Sequence, residues 1–433
     1  MYLAFDDTDS IQGMCTTFLA TEMVRALGEH DLIGYPRLVR LNPAVPWKTR
    51  GNAALCLRFG RGGGARRLVG RIGERPIYSF DRCLEPADQG ELLSIGGRLL
   101  EEWSRIKEGA SPGLVVSVRP PRPALYWSAV RGVVQKAAVE SELTAVGAQT
   151  QQLAGGRGVI GASAAMAWRP RDRTYEVLVY RSPERWGTPR EVNTEDVAQL
   201  DRRFPSTFNN FDTSVGRTAI VPHSPCPILF GIRGDDPCDL VEAMATVRSE
   251  EKDRWLLYIS NQGTDDHIVR RWSTLEPGSS YLVRGKVIAR PRTMSGGHAI
   301  FPLWTTKAGV VECTAYEPSK TFRATIRQLI PGDEVEVMGE LRGEPRTLNL
   351  EKLHLVHIAE EVRKVSNPIC PNCGKSMKSV GKAGGYRCRK CGARADERST
   401  TKEKVPRTIS PGWFEPPVCA RRHISKPLKR MCV

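Results

Sequence analysis

The stretch Tyr2-Leu3-Ala4-Phe5-Asp6-Asp7-Thr8-Asp9-Ser10 decides how the chain begins to fold. Its apolar half predicts a short strand from Tyr2 to Phe5, and the periodicity resuming at Thr16 predicts a helix to about Leu27. Between them Asp6, Asp7 and Asp9 place three carboxylates within four residues, which repel one another unless a cation neutralises them. Mg²⁺ with a nucleotide phosphate suits such an oxygen-rich cluster; a solvated acidic turn or a helix cap is the other reading. Thr16 and Thr17 read as cap residues of the helix that follows. Strand, acidic loop and helix open a mixed α/β unit expected to run over residues 1–190.

Two further segments of that unit carry groups suited to phosphate. Gly155-Gly156-Arg157-Gly158-Val159-Ile160-Gly161-Ala162-Ser163 is expected to be a loop. Its small residues, Gly156, Gly158 and Gly161 among them, would let backbone N–H groups approach a phosphate, with Arg157 adding charge. It lacks the lysine of a Walker sequence, and a tight structural turn is the competing reading. Pro46-Trp47-Lys48-Thr49-Arg50-Gly51-Asn52 sets Lys48 and Arg50 beside an aromatic, a grip for phosphate or base, or else a surface loop. The pattern elsewhere predicts a helix over residues 124–147, a strand over 174–181, and a glycine-rich interruption at 61–65.

Residues 191–275 read as strand, helix, strand, a small α+β domain. Two of its strand-like runs end in the polar loops Pro222-His223-Ser224-Pro225-Cys226-Pro227 and Asn261-Gln262-Gly263-Thr264-Asp265-Asp266-His267. Ligands of α/β sheets bind at such places, although each loop alone reads as an ordinary turn. Residues 278–358 give five short strands with a helical segment, 320–329, between the third and fourth, the pattern of an OB-fold β-barrel. Cys370-x2-Cys373 and Cys388-x2-Cys391, fourteen residues apart, predict a tetrahedral Zn²⁺ site in a zinc ribbon over residues 366–395. Four thiolates leave no position for water, so that zinc is structural. Residues 396–433 read as a basic tail in which Trp413, Phe414, Arg421, Arg422, His423 and Lys426 offer stacking surface and charge to nucleic acid. A disordered solubilising tail is the alternative.

The fold class expected is therefore multidomain α+β, as 433 residues require. Hydrophobic and charged contents of 40% and 26% exclude collagen-like and fully disordered chains, and no apolar run approaches the ~20 residues of a membrane helix. The first residues lack the pattern of a secretory signal, so the expected location is cytoplasmic, without a membrane partner. The net charge of +16 is uneven: residues 363–433 hold 18 Lys+Arg against 4 Asp+Glu, leaving 46 against 44 in residues 1–362.

In their order these motifs resemble the archaeal tRNA-isoleucine 2-agmatinylcytidine synthetase family over essentially the whole chain. The resemblance rests on Phe5-Asp6-Asp7-Thr8-Asp9-Ser10 with Gly13-Met14-Cys15-Thr16-Thr17, and on Arg40-Leu41-Asn42-Pro43 through Asn52. It continues through Gly156–Ala162, both polar loops, the four cysteines, and Glu415-Pro416-Pro417 with Ala420-Arg421-Arg422-His423. It implies a kinase-like ATP-binding domain, a ferredoxin-like domain, an OB-fold and a zinc ribbon, the last two holding the tRNA. The implied reaction joins agmatine, with ATP, to C2 of the wobble cytidine of the CAU anticodon in isoleucine tRNA, so that AUA is decoded. Phosphorylating the cytosine C2 oxygen would create a displaceable group. Asp6, Asp7 and Asp9 would hold Mg²⁺, and Lys48, Arg50, Arg157 and the 156–161 glycines would face ATP phosphates. Thr16 matches a threonine that accepts phosphate in the family. For agmatine, a dication, the expected pocket is His223, Ser224 and Cys226 with Asp265.

Three other functions fit parts of the sequence. An ATP-dependent RNA ligase would share the OB-fold and Mg²⁺, yet a Lys-x-Asp-Gly nucleophile motif is absent. A non-catalytic RNA-binding protein would need only the C-terminal third and leaves the acidic loop unexplained. A kinase would turn over ATP without tRNA and amine.

Overall fold

The computed structural model describes residues 1–49, 51–381 and 384–431. An 11-stranded sheet forms the body of the molecule. The strand Tyr2–Asp6 lies in it between Ala53–Ile72 and Gly113–Ser117, antiparallel to both. Alternation along this strand feeds two cores: Leu3 and Phe5 meet Phe18, Leu19 and Met23 of helix Thr16–Ala26 and Leu92 and Leu99 of helix Gln89–Trp103. Ala4 on the opposite face meets the core under helices Pro123–Arg131, Lys136–Ala145 and Gly158–Ala167.

The division expected near residue 190 is not a break in this sheet. Thr174–Tyr180 pairs with both Ile228–Gly234 and Arg254–Ser260, and the latter continues onto Arg37–Arg40 and Ala53–Ile72. Helices Thr194–Arg203 and Pro237–Thr246 cover this half through Val197, Leu200, Leu240 and Ala243. Other local expectations change as well. Residues 61–65 do not interrupt a strand; they lie within Ala53–Ile72, whose pairing with Arg75–Pro86 shifts register between Arg61 and Gly62 and between Gly63 and Arg66. Glycines let a long hairpin bulge and twist without ending it. The helix expected over 124–147 is two, separated at residues 132–135.

Strands Ser280–Val287, Ala299–Thr305, Gly309–Ala315, Glu334–Leu341 and Leu348–His357 form a closed barrel, the first pairing with both the second and the fourth and the third with the fifth. Helix Thr321–Arg327 sits between the third and fourth strands, as the OB-fold reading requires. Beyond the barrel, Glu361–Ser366 pairs with Thr401–Val405 around the ribbon. There the Sγ atoms of Cys370, Cys373, Cys388 and Cys391 all lie within 4.8 Å of one another, a separation that suits four thiolates on one Zn²⁺.

The C-terminal segment is not a tail. Gly412–Phe414 adds a strand to the barrel, Phe414 opposite Leu353, and Trp413 stacks on His354 at 4.5 Å and 5°. The chain then crosses back to the body as a strap: Gly263 N–H donates to His423 O at 2.9 Å, and the Thr264 and Asp265 N–H groups to Ile424 O at 3.1 and 3.0 Å. Beneath it, buried pairs join barrel to body, Lys352 Nζ to Asp265 at 2.6 and 2.7 Å and His267 to Glu351 at 2.9 Å. Among the described residues no helix is long and apolar enough to cross a membrane.

Candidate active site

A cavity of about 740 Å³ opens where the body sheet, the 217–226 loop and the strap meet. Asp6, Asp7, Asp9 and Thr16 line it together with Lys48, Arg157, Gly158, Gly161, His223, Ser224, Cys226, Arg421, Arg422 and His423. Residues from five separate stretches of sequence are thus brought to one space. Arg50 lies outside the described residues.

The acidic loop is held by close packing. The 155–163 stretch is not a loop but the start of helix Gly158–Ala167, entered through Gly155 and Gly156 at φ 90° and 62°. Gly156 is not part of the cavity wall. Gly158 and Gly161 line the cavity and also permit close contact. A Cβ at Gly161 would fall 2.7 Å from Asp6 Cγ, and one at Gly158 would fall 2.6 Å from Gly113 N. Asp6 Oδ1 accepts from Asp7 N–H at 2.7 Å, and Asp7, at φ 59°, turns its carboxylate to Arg157 Nη2 at 2.7 Å. Arg157 is therefore paired as well as cavity-facing, with its guanidinium 5.9 Å over the Trp47 ring.

Burial, and then the charges of Asp7 and Asp9, push the Asp6 carboxyl well above its ordinary range. Burial also raises Asp7, against the pull of Arg157. Carboxyl groups that resist ionisation beside one another are what a divalent cation reverses, so the donor set fits Mg²⁺. The three side chains do not converge on a ready cluster. Among the described residues only the four cysteines bring three or more potential ligands within 4.8 Å. Thr16 begins its helix after Cys15, and its hydroxyl accepts from Thr8 Oγ1 at 3.0 Å rather than capping the helix. Lys48 lines the cavity with Nζ donating to Pro43 O; burial and the nearby Arg422 lower its pKa.

Six charged residues of the wall had no role assigned from sequence, Arg40, Glu176, Asp212, Arg217, Arg233 and Lys320. Arg233 Nε donates to Glu176 Oε1 at 2.9 Å, and Gln262 links Glu176 to Arg40 Nε, its Oε1 accepting at 3.2 Å. Burial lowers the Arg40 guanidinium to about 10. The available signal was a charge inside otherwise apolar strands, at Glu176 in Thr174–Tyr180 and Arg233 in Ile228–Gly234.

The 222–226 loop is pinned by Arg190, which donates to the carbonyls of Pro222, Ser224 and Cys226 at 2.8 Å. Asp265, expected beside this loop, is not in the cavity wall: it is buried and its carboxylate is spent on Lys352 and on Lys426 N–H. In addition to Asp6, Asp7, Asp9 and Glu176, Asp212 lines the cavity with His223, Ser224 and Cys226. Although burial acts the other way, hydrogen bonds from Ser214 and Cys419 N–H hold its pKa below the ordinary value. The cations of the supposed tail are likewise engaged inside the molecule. Arg421 pairs with Glu415 at 2.8 Å, Arg422 with Glu340 and, at 3.4 Å, Glu351, and Lys426 with Asp172 at 2.8 Å.

Family models match residues 2–155 (TiaS TCKD domain), 156–267 (TiaS FLD domain) and 367–409 (TiaS C-terminal zinc ribbon domain), dividing the body earlier than residue 190. The chain is 39% identical over 451 residues to the isoleucine-2 tRNA 2-agmatinylcytidine synthetase TiaS of Archaeoglobus fulgidus, covering 100% of this chain and 98% of that protein. Its identity to the Methanosarcina mazei enzyme of the same name is 37% over 446 residues, with 99% and 97% covered. A crystal structure of TiaS in complex with isoleucine-2 tRNA and ATP superimposes with a TM-score of 0.86 at 36% identity, over 100% of this chain and 97% of the other. A TiaS complex with isoleucine-2 tRNA, AMPCPP and agmatine does so with 0.83 at 34%, over 100% and 97%. Full-length similarity at this level, with the acidic loop, the cavity and the four-cysteine ribbon all in place, makes the chain a member of the TiaS family of isoleucine-2 tRNA 2-agmatinylcytidine synthetases.

Proposed function

We infer that this chain is an ATP-dependent ligase that joins agmatine to C2 of the wobble cytidine of the CAU anticodon in isoleucine tRNA. The observation that carries the reading is the single cavity. It gathers an acidic loop, a cationic wall and a polar loop, the three surfaces needed by metal-bound ATP, a phosphorylated base and a dicationic amine. The relatives' names and their complexes with isoleucine-2 tRNA, ATP and agmatine support it.

The chemistry follows from the groups present. Oxygen at C2 of cytosine leaves poorly as hydroxide, so phosphoryl transfer to it precedes displacement by the amine, with phosphate departing. Mg²⁺, held by Asp6, Asp7 and Asp9, would offset phosphate charge during that transfer. Lys48, Arg157 and Arg40 stabilise developing negative charge from fixed positions. Thr16, buried at the cavity's edge, would accept a phosphoryl group, the role that the resemblance implies for it. His223, Ser224 and Cys226, with Asp212 replacing Asp265 as the acidic partner, receive agmatine. Holding base, ATP and amine in one cavity supplies the proximity that an intermolecular displacement lacks.

The body is read as a kinase-like unit joined to a ferredoxin-like one, and the OB-type barrel and ribbon as the tRNA grip. Lys375, Lys378, Arg387, Arg389, Lys390 and Arg394 of the ribbon are exposed and suited to phosphate contacts. The test is mass spectrometry of CAU isoleucine tRNA after incubation with the protein, ATP, Mg²⁺ and either agmatine or lysine. An agmatine adduct at the wobble cytidine, absent with lysine and lost with Asp7→Ala, is expected. Tight tRNA binding without any adduct would refute the reading.

A further inference from the structure

The strap brings one histidine into the reaction cavity, and the neighbouring cations do not account for it. His423 is open to the cavity, and neither of its ring nitrogens has a hydrogen-bond partner among the described residues. Its backbone, by contrast, is fixed. The His423 carbonyl accepts from Gly263 N–H at 2.9 Å, and the next carbonyl, Ile424, accepts from both Thr264 and Asp265 N–H. Two residues further on, Lys426 N–H donates to Asp265 at 2.7 Å. The strap's other cavity groups, Arg421 and Arg422, are consumed by Asn209, Glu415, Glu340 and Glu351. A rigidly mounted imidazole whose nitrogens have no hydrogen-bond partner among the described residues, in a site where an amine must lose a proton, has a definite chemical use.

The charged groups bearing on the ring are Arg233 and Arg40. The charge of Arg233 first, then enclosure by the protein, then the charge of Arg40 hold the imidazolium form well below its ordinary range, so the ring is neutral at pH 7. Glu176 lies behind this pair, bonded to Arg233 and linked to Arg40 through Gln262, so it pairs with the arginines rather than with the histidine. Agmatine reaches the cavity as an ammonium, which has no lone pair with which to attack.

We propose that His423 is the general base that takes the proton from the agmatine ammonium as the amine attacks C2 of the activated cytidine. The inference rests on the proposed ligase reaction. In the step, one ammonium proton passes to an imidazole nitrogen and exposes the lone pair, the N–C2 bond forms, the bond between C2 and the phosphoryl-bearing oxygen breaks, and phosphate leaves with that electron pair and takes up the second proton the nitrogen sheds. The same two arginines favour release of that proton from the imidazolium to water or to the departing phosphate.

The test compares agmatine with its aminooxy analogue, whose amine is already unprotonated at pH 7, in the full-length protein and in His423→Gln and His423→Asn. ATP and tRNA affinities confirm that the variants are folded. With agmatine, kcat is expected to fall by about 10²- to 10⁴-fold while KM changes little. With the aminooxy compound the loss should stay under about tenfold. Equal losses with both amines, or an agmatine kcat within about tenfold of the unaltered protein, would overturn the assignment. If the unaltered protein rejects the aminooxy compound, His423→Gly with added imidazole takes its place: restored agmatine turnover supports the base and no restoration refutes it. An unaltered protein that forms no agmatine adduct at all refutes the ligase reading itself, and is recognised by that control.

Discussion

At Gly161 the space between a helix and the Asp6 carboxyl group admits a hydrogen atom and nothing larger. Gly161→Ala should therefore displace Asp6, lowering kcat by at least about tenfold. Overpacking should cost about 1–3 kcal/mol in stability, checked by turnover and by urea denaturation. The same scale decides the agmatine pocket. Asp212→Asn is expected to raise the agmatine KM several-fold with ATP affinity unchanged, whereas Asp265→Asn should act on stability, because its partner Lys352 would be left as an unpaired buried charge. Steady-state kinetics set beside denaturation curves distinguish the two. Asp6, Asp7, Asp9 and the cysteines were legible from sequence because their spacing is local. Arg40, Glu176 and Arg233 were not, since only tertiary pairing turns isolated charges in apolar strands into one wall. Asp265 misled for the converse reason: its place in a polar loop gives no sign of a lysine 87 residues away.

At the level of elements, the strap and the barrel strand Leu348–His357 join the barrel to the body. Glu351 of that strand receives His267, Ser425 and Arg422. Burial alone would raise its pKa, but the charges of His267, Arg422 and Lys352 together hold it well below the unfolded value of 4.5. A depressed folded-state pKa contributes stability that is present above the unfolded value and lost as pH falls below it. Acidification from about pH 5 downward should loosen the barrel from the body, and Glu351→Gln should flatten that dependence; hydrogen exchange of residues 261–267 and 423–426 reports it. The strap was unreadable as such in the sequence. Eighteen cations against four acids in residues 363–433 resemble a solvated tail, and acids of distant elements, Asp172, Asp201, Asp235, Asp333, Glu340 and Glu351, fold it back. By contrast, the barrel was readable, because its five alternating strands and single helix are contiguous in the chain.

Across the whole molecule, charge and chemistry are divided. The body holds the reaction cavity, and the ribbon presents its cations outward. Chelating zinc should unfold the ribbon, weaken tRNA binding and lessen its salt dependence, with ATP affinity retained; filter binding across salt concentrations measures this. Body and barrel remain joined through the Lys352–Asp265 and His267–Glu351 pairs, so loss of the ribbon need not disturb the cavity. In the proposed reaction the C2 oxygen of the wobble cytidine is phosphorylated and then displaced by the amine within this cavity. Its most direct test uses tRNA carrying ¹⁸O at that oxygen, incubated with the protein, ATP, Mg²⁺ and agmatine. The label is expected in the released phosphate in step with adduct formation. Adduct formation with the label released into water would contradict it.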